Sequence, residues 1–194
     1  MTEIIQARPD DVPRLAAMLT RAYREDPIFR YFVPGPDRER WIEREFLVYD
    51  AIGAREGWLW TTPERDGVAW WQPPGHRSAA DEAEALVRRE VWPDSPDGGA
   101  HYVAFWDRAF ALAPREPHWY LDHVGVDPDR QGRWIGSALI RHGLGLAAAD
   151  GLPVWLETCQ RANLPLYEHL GFRVMHEEDA PMAGPHVWFM QAEP

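Results

Sequence analysis

The stretch richest in chemical potential reads Val124-Gly125-Val126-Asp127-Pro128-Asp129-Arg130-Gln131-Gly132-Arg133-Trp134-Ile135-Gly136-Ser137-Ala138-Leu139. A β-type run passes through a turn and enters a helical pattern. Backbone N–H groups in the first turn of a helix have no intrahelical acceptor, and the helix dipole adds partial positive charge there. Such a turn can therefore hold a phosphate or pyrophosphate. Gly132 and Gly136 let a ligand approach the backbone closely, and Arg130 and Arg133 add permanent positive charge. The pattern is not G-x-G-x-x-G and contains no Gly-Lys-Ser/Thr, so it is neither a Rossmann fingerprint nor a P-loop. On residue types alone, a packing turn with surface arginines fits equally well.

Other side chains nearby could move protons. Asp122 and His123 lie on the strand that leads into the turn, and Glu157 lies on the next strand. Histidine titrates nearest neutrality. Strand alternation places Tyr120, Asp122 and Val124 on one face and Leu121, His123 and Gly125 on the other. Tyr167 follows on a short helix; its phenol is protonated at neutral pH. The single cysteine, Cys159, reads as a small buried hydrophobe rather than a nucleophile. No His-x-x-x-His pair or Cys/His cluster suggests a metal.

The elements that must position these groups follow from period and punctuation. Glu3–Ala7 is a strand candidate, and Val12, Leu15, Ala16 and Leu19 recur at helical spacing after Asp10. Pro36 to Arg55 reads as a second helix. Gly57–Thr62 and Gly67–Gln72 form a hairpin, and residues 78–113 are mostly helical with a break from Pro93 to Gly99. His118–Val126 is a strand. A helix is expected from Gly132 or Arg133 to Asp150, then a strand at Val154–Glu157, a helix at Pro165–Leu170, and strands at Phe172–His176 and His186–Gln191. This order gives an α/β (α+β) chain around one mixed sheet.

Length and charge bound the reading. The 194 residues suit one domain. With one cysteine there is no intrachain disulfide, as expected of a reduced, cytoplasmic protein. All 20 basic residues are arginine, which excludes lysine Schiff-base and Walker-lysine chemistry. The net charge of −11 argues against general nucleic-acid or anionic-membrane binding and suits a cationic small ligand. The acidity is uneven. Residues 117–149 carry three acids and three arginines, whereas residues 150–194 carry seven acids and two arginines.

The segment Gln131-Gly132-Arg133-Trp134-Ile135-Gly136 resembles the pyrophosphate loop of the GCN5-related N-acetyltransferases, whose pattern is Gln/Arg-x-x-Gly-x-Gly/Ala. Trp134 stands where that pattern has its first glycine, so its side chain must point away from a pyrophosphate or the loop must shift. A second motif, Asn163 to Tyr167 with Gly171-Phe172, resembles the family's Asn…Tyr…Gly-Phe signature in shortened spacing. Within the family the likeness is greatest to puromycin N-acetyltransferases. It is strong after residue 117, through Trp119-x-Leu121, Val124-Gly125-Val126, Leu156-Glu157-Thr158 and Arg161-x-Asn163, and patchy before it.

The resemblance implies a central mixed, splayed β-sheet of about six to seven strands flanked by helices. The acceptor-side elements would occupy 1–117 and an acetyl-CoA-binding core 118–194. It implies acetyl transfer from acetyl-CoA to a primary amine by direct attack in a ternary complex, without a metal. Val124, Gly125 and Val126 would pair with the pantetheine arm and stabilise the developing oxyanion. Arg130, Gln131, Gly132, Arg133, Trp134, Ile135, Gly136 and Ser137 would hold the pyrophosphate, with Asn163 and Tyr167 beside the cofactor. Tyr167 would protonate the leaving thiolate. Asp122 is the first candidate base, His123 the second and Glu157 the third, and a family strand bulge could change the strand parity near Val124.

The acceptor pocket is expected among Tyr31, Trp70 and Trp71, with Tyr23, Phe29 and Phe32 also in reach. The acceptor would be a small-molecule amine, antibiotic-like or aminonucleoside-like, and the protein a monomer or homodimer. An acetyl-CoA sensor without turnover and a protein N-acetyltransferase are the alternatives.

Overall fold

The computed structural model describes residues 2–75 and 77–194, with the side chains of 77–80 left out of the description. Seven strands form one sheet: β1 (Ile5–Gln6), β2 (Leu59–Thr61), β3 (Gly67–Gln72), β4 (Trp119–Val126), β5 (Val154–Thr158), β6 (Arg173–Asp179) and β7 (His186–Ala192). Their spatial order is β1-β2-β3-β4-β5-β7-β6. All neighbours are antiparallel except β4 and β5. The helices are α1 (Val12–Tyr23), α2 (Pro27–Phe32), α3 (Arg38–Glu56), α4 (Arg77–Glu90), α5 (Ala100–Leu112), α6 (Ile135–Asp150) and α7 (Leu164–His169). The mixed, helix-flanked sheet matches the expected fold class.

Alternation along the strands divides the apolar residues between two cores. Val68 and Trp70 of β3 face a core built with α1, α3, α4 and α5, whereas Ala69 and Trp71 face a core built with α6 and α7. The approach of α6 is close. A Cβ on Gly143 would stand 1.9 Å from the Trp71 ring.

Two expectations are corrected and one is met. The α6 helix begins at Ile135, because Gly132 (φ 74°) and Trp134 (φ 64°) adopt left-handed backbone that cannot continue a helix. The expected break in the helical 78–113 stretch is present: α4 and α5 are separated by a 3-10 turn at Trp92–Asp94. The start of α5 is organised by Asp97, which accepts from the N–H of Gly99 (3.0 Å) and His101 (2.9 Å). Strand parity also breaks at Asp122. Trp70 pairs with His123 and Trp71 with Leu121, so Asp122 is the extra residue of a bulge. Tyr120 and His123 consequently share the face that strict alternation would have separated.

Gly143→Ala should destabilise the protein by about 2 kcal/mol through overpacking against Trp71. Urea unfolding of the variant checks this, and an unchanged midpoint would mean that α6 can move away from the sheet.

Candidate active site

The parallel ladder between β4 and β5 lasts only two pairs, Trp119↔Val154 and Tyr120↔Trp155. Beyond Tyr120 the strands part, and a cavity of about 710 Å³ opens between them, lined by residues 121–126 of β4 and 156–160 around the end of β5. The free edge of β4 faces this cavity. Val124 C=O accepts from the Tyr23 hydroxyl (3.0 Å) and Val126 C=O from Gln131 Nε2 (3.3 Å), so neither carbonyl bonds to β3. In an antiparallel ladder the N–H of each such residue points the same way as its carbonyl. Val124 and Val126 thus offer backbone donors toward the cavity.

One end of the cavity is built for an anion. The first bond into α6 beyond its cap is from Ala138 N–H to Trp134 C=O (2.9 Å), and no side chain caps the helix. The N–H groups of Ile135, Gly136 and Ser137 therefore remain available at the cavity wall. Alternating left-handed residues at 132 and 134 also turn backbone N–H groups inward as a nest. The left-handed conformation explains the family's glycine at position 134. Here a tryptophan accepts that backbone at a cost of roughly 1–2 kcal/mol and leaves its indole 70% exposed at the cavity mouth. Arg130 lines the same end, held 3.7 Å from Asp66.

The other end combines aromatic rings with carboxylates. Tyr23, Phe29, Phe32, Phe46, Tyr49, Phe105 and Trp106 line it, together with Asp26, Glu45, Asp122 and Glu157. Asp122, on the bulge, accepts from Gln72 Nε2 (2.9 Å) and lies 3.0 Å from His123 Nδ1. His123 Nε2 is 3.0 Å from Asp50 of α3, an ion pair without hydrogen-bond geometry that leaves both Asp50 oxygens otherwise unpartnered. Burial alone would lower the His123 pKa. The adjacent Asp50 charge and the bond to Asp122 outweigh it and lift the value to about 9. At neutral pH His123 is an imidazolium held between two carboxylates, with no free lone pair to act as a base.

Glu157 differs. Burial raises its pKa to about 8, against the lowering effect of the bond from the Tyr120 hydroxyl (2.5 Å). Asp26, which accepts from Ile28 N–H at the start of α2, is pushed up to about 6 by burial. The Tyr167 phenol is buried and raised, first by burial and then by Asp26 and Glu157, so it keeps its proton. Burial likewise pushes the Cys159 thiol up, away from the thiolate a nucleophile needs. Among the described residues, no group of three His, Cys, Asp or Glu side chains is arranged to hold a metal.

The cavity gathers Asp122, His123, Val124, Gly125, Val126, Arg130, Gln131, Gly132, Trp134, Ile135, Gly136, Ser137, Asn163 and Tyr167 along one wall. Arg133 is exposed and outside it. Tyr31, Trp70 and Trp71 are also outside. Tyr31 donates to Pro181 C=O (2.7 Å), Trp70 is fully buried against Tyr49 and His123, and Trp71 is buried in the opposite core. The pocket is walled instead by α1, α2, α3 and α5. Glu45, Phe46, Tyr49, Phe105 and Trp106 were not singled out in the sequence. One signal was there: Glu45 falls on the helical stripe of Trp41, Tyr49 and Ile52, an acid in an otherwise apolar row.

A model of the acetyltransferase (GNAT) family matches residues 21–172. The chain belongs to this family. It is similar to an uncharacterized N-acetyltransferase of Schizosaccharomyces pombe, 28% identical over 178 residues, which span 84% of this chain and 70% of that protein. It also resembles the mycothiol acetyltransferase of Streptomyces scabiei, 33% identical over 155 residues that span 77% of this chain and 44% of the relative. The GNAT chain thus spans about half the length of the mycothiol acetyltransferases it matches. In fold it superposes on a Corynebacterium glutamicum structure described as histone acetyltransferase HPA2 and related acetyltransferase (TM-score 0.68, 23% identity, 100% of this chain and 97% of that one). It superposes similarly on Drosophila melanogaster polyamine N-acetyltransferase (TM-score 0.67, 16% identity, both chains covered in full). GNAT acetyltransferases use acetyl-CoA, and the free N–H groups at the start of α6 suit its pyrophosphate. Among the described residues, no helix is long and apolar enough to cross a membrane.

The His123–Asp50 pair gives a pH signature. A histidine raised from 6.5 to about 9 on folding contributes fully below pH 6.5, and its contribution fades as pH rises through 9. The stability advantage of the wild type over Asp50→Asn should shrink across that window in urea titrations. A pH-independent difference would mean that the pair is not charged.

Proposed function

We propose that this GNAT protein acetylates the primary amine of a small molecule that combines aromatic or apolar bulk with positive charge. The observation that carries this reading is the single cavity that joins the anion-binding end at α6 to a chamber of aromatic rings and buried acids. The chamber suits a compact amine better than an extended peptide, because its carboxylates lie among buried rings. An aromatic aminonucleoside of the puromycin type is one acceptor of this class.

Bound acetyl-CoA would supply the acetyl group as an activated thioester, its pyrophosphate held by Ile135, Gly136 and Ser137 N–H with Arg130 nearby. Glu157, raised to about 8, is matched to take the proton of the acceptor ammonium near neutral pH. Asp122 stays hydrogen-bonded to Gln72 and His123 beside it and attracts the ammonium. The free-edge N–H groups of Val124 and Val126 donate to the carbonyl oxygen as it gains charge. Tyr167 delivers its phenolic proton to the departing sulfur. The burial that makes this phenol a weaker acid also raises the proton affinity of a desolvated thiolate, so donor and acceptor remain matched.

Tyr167→Phe should leave acetyl-CoA affinity by calorimetry unchanged and lower kcat by about 100-fold. Unchanged turnover would remove Tyr167 as the donor. The wild-type kcat/KM should rise with pH through about 8 as Glu157 loses its proton. Glu157→Gln should abolish that limb, whereas persistence of the limb would assign the base to another group. An acceptor screen by free-thiol release, with puromycin included, tests the reading as a whole. Acetyl-CoA binding without turnover on any amine would overturn it in favour of a sensor.

A further inference from the structure

Of the cavity's carboxylates, Glu45 has no role in the steps above. It projects from the middle of α3, is only 5% exposed, and its Oε2 has no hydrogen-bond partner. Asp122 and Glu157 are both tied to neighbours, by Gln72 and Tyr120, and Asp26 accepts from Ile28 N–H. The Trp92 indole nitrogen lies beside Glu45 but is itself without a partner of hydrogen-bond geometry. A buried carboxyl oxygen left unsatisfied costs free energy unless a partner arrives. Glu45 lines the cavity, so a turn of its side chain would present this buried oxygen to a partner there.

The surroundings select the partner's charge. Glu84 on α4 and Asp122 on β4 add negative potential at Glu45, and His123 on β4 opposes it. Asp50, on the same helix, is already committed to His123. Phe46, next to Glu45 in sequence, and Tyr49, one helical turn on, line the chamber with it. A carboxyl in net negative potential between aromatic rings favours a cation or a strong hydrogen-bond donor.

We propose that Glu45 is a specificity-determining subsite that receives a second ammonium or equivalent cationic group of the acceptor, so that the preferred substrates are dibasic amines. This deepens the proposed function and rests on its placing the acceptor in this chamber. Burial and the charges of Glu84 and Asp122 push the Glu45 carboxyl well above its ordinary range, toward the protonated form. When an acceptor enters with both amines protonated, one ammonium settles on the Glu45 carboxylate and the Glu45 proton leaves to solvent. The proton removed from the other ammonium goes to Glu157 as before, so the two transfers are separate.

The test compares hexylamine with hexamethylenediamine. Calorimetry on the full chain with coenzyme A present, in two buffers of different ionisation enthalpy, reads affinity and proton release. Free-thiol assays with acetyl-CoA read KM and kcat. The wild type should bind the diamine roughly tenfold or more tightly than the monoamine and release more protons with the diamine than with the monoamine. Glu45→Gln should erase the preference and the extra proton release, through KM for the diamine, and leave acetyl-CoA affinity unchanged. Glu45→Asp should restore part of the preference. Equal affinity for the two amines in the wild type, or the same loss on both in Glu45→Gln, overturns the subsite. Selective diamine binding with proton release but no turnover would support the subsite while overturning the enzymatic reading.

Discussion

The parting of β4 from β5 is the constraint on which the rest of the site depends. A parallel ladder that ends after two pairs leaves one edge of β4 without a strand partner beyond Tyr120. Buried backbone groups must find partners. Two carbonyls are met by side chains from other elements, Tyr23 of α1 and Gln131 of the turn. The adjacent N–H groups are left to an incoming ligand, which can add to the edge as a strand would. The gap also lets the start of α6, the end of β5 and Tyr167 of α7 face one cavity.

Within that cavity the same chemical group does different work in different surroundings. Asp122 is anchored by Gln72 and an imidazolium. Glu157 is buried with a phenol donor and raised into the neutral range, and Glu45 is buried with no donor to its Oε2. Environments that push titratable groups apart are how one fold assigns separate proton-handling roles. The bulge at Asp122 serves this division. It turns His123 toward Asp50 and Trp70 while Leu121 stays in the opposite core.

Family membership and acceptor choice lie in different parts of the molecule. The proposed coenzyme end is formed by β4, the following turn and α6, which carry the Gln131–Gly136 resemblance within a family match that spans residues 21–172. The acceptor chamber is walled by α1, α2, α3 and α5, where the sequence likeness is patchy. Relatives named for mycothiol and a structural neighbour named for polyamines share the scaffold with this chain at low identity. Function on such a scaffold is decided by the side chains of the chamber, not by the fold.

The sequence by itself determined what is local: the order of strands and helices from β4 onward, the anion-binding turn, and the Asn163–Tyr167 segment. These follow from periodicity, glycine and proline punctuation, and the unpaired N–H groups that every helix start presents, all of which act within a few residues. The left-handed backbone at Trp134 was foreshadowed by the glycine it replaces. What only the tertiary structure decided depends on packing between distant segments. Trp70 and Trp71 read as pocket walls, yet each is buried in a core, because strand faces are assigned by what α3 and α6 cover. His123 looked like a base until Asp50, far away in sequence, met its second nitrogen. Glu45 was an acid in an apolar helical row, and only the packing of α1, α2 and α5 around α3 made Glu45, Phe46 and Tyr49 part of a chamber wall.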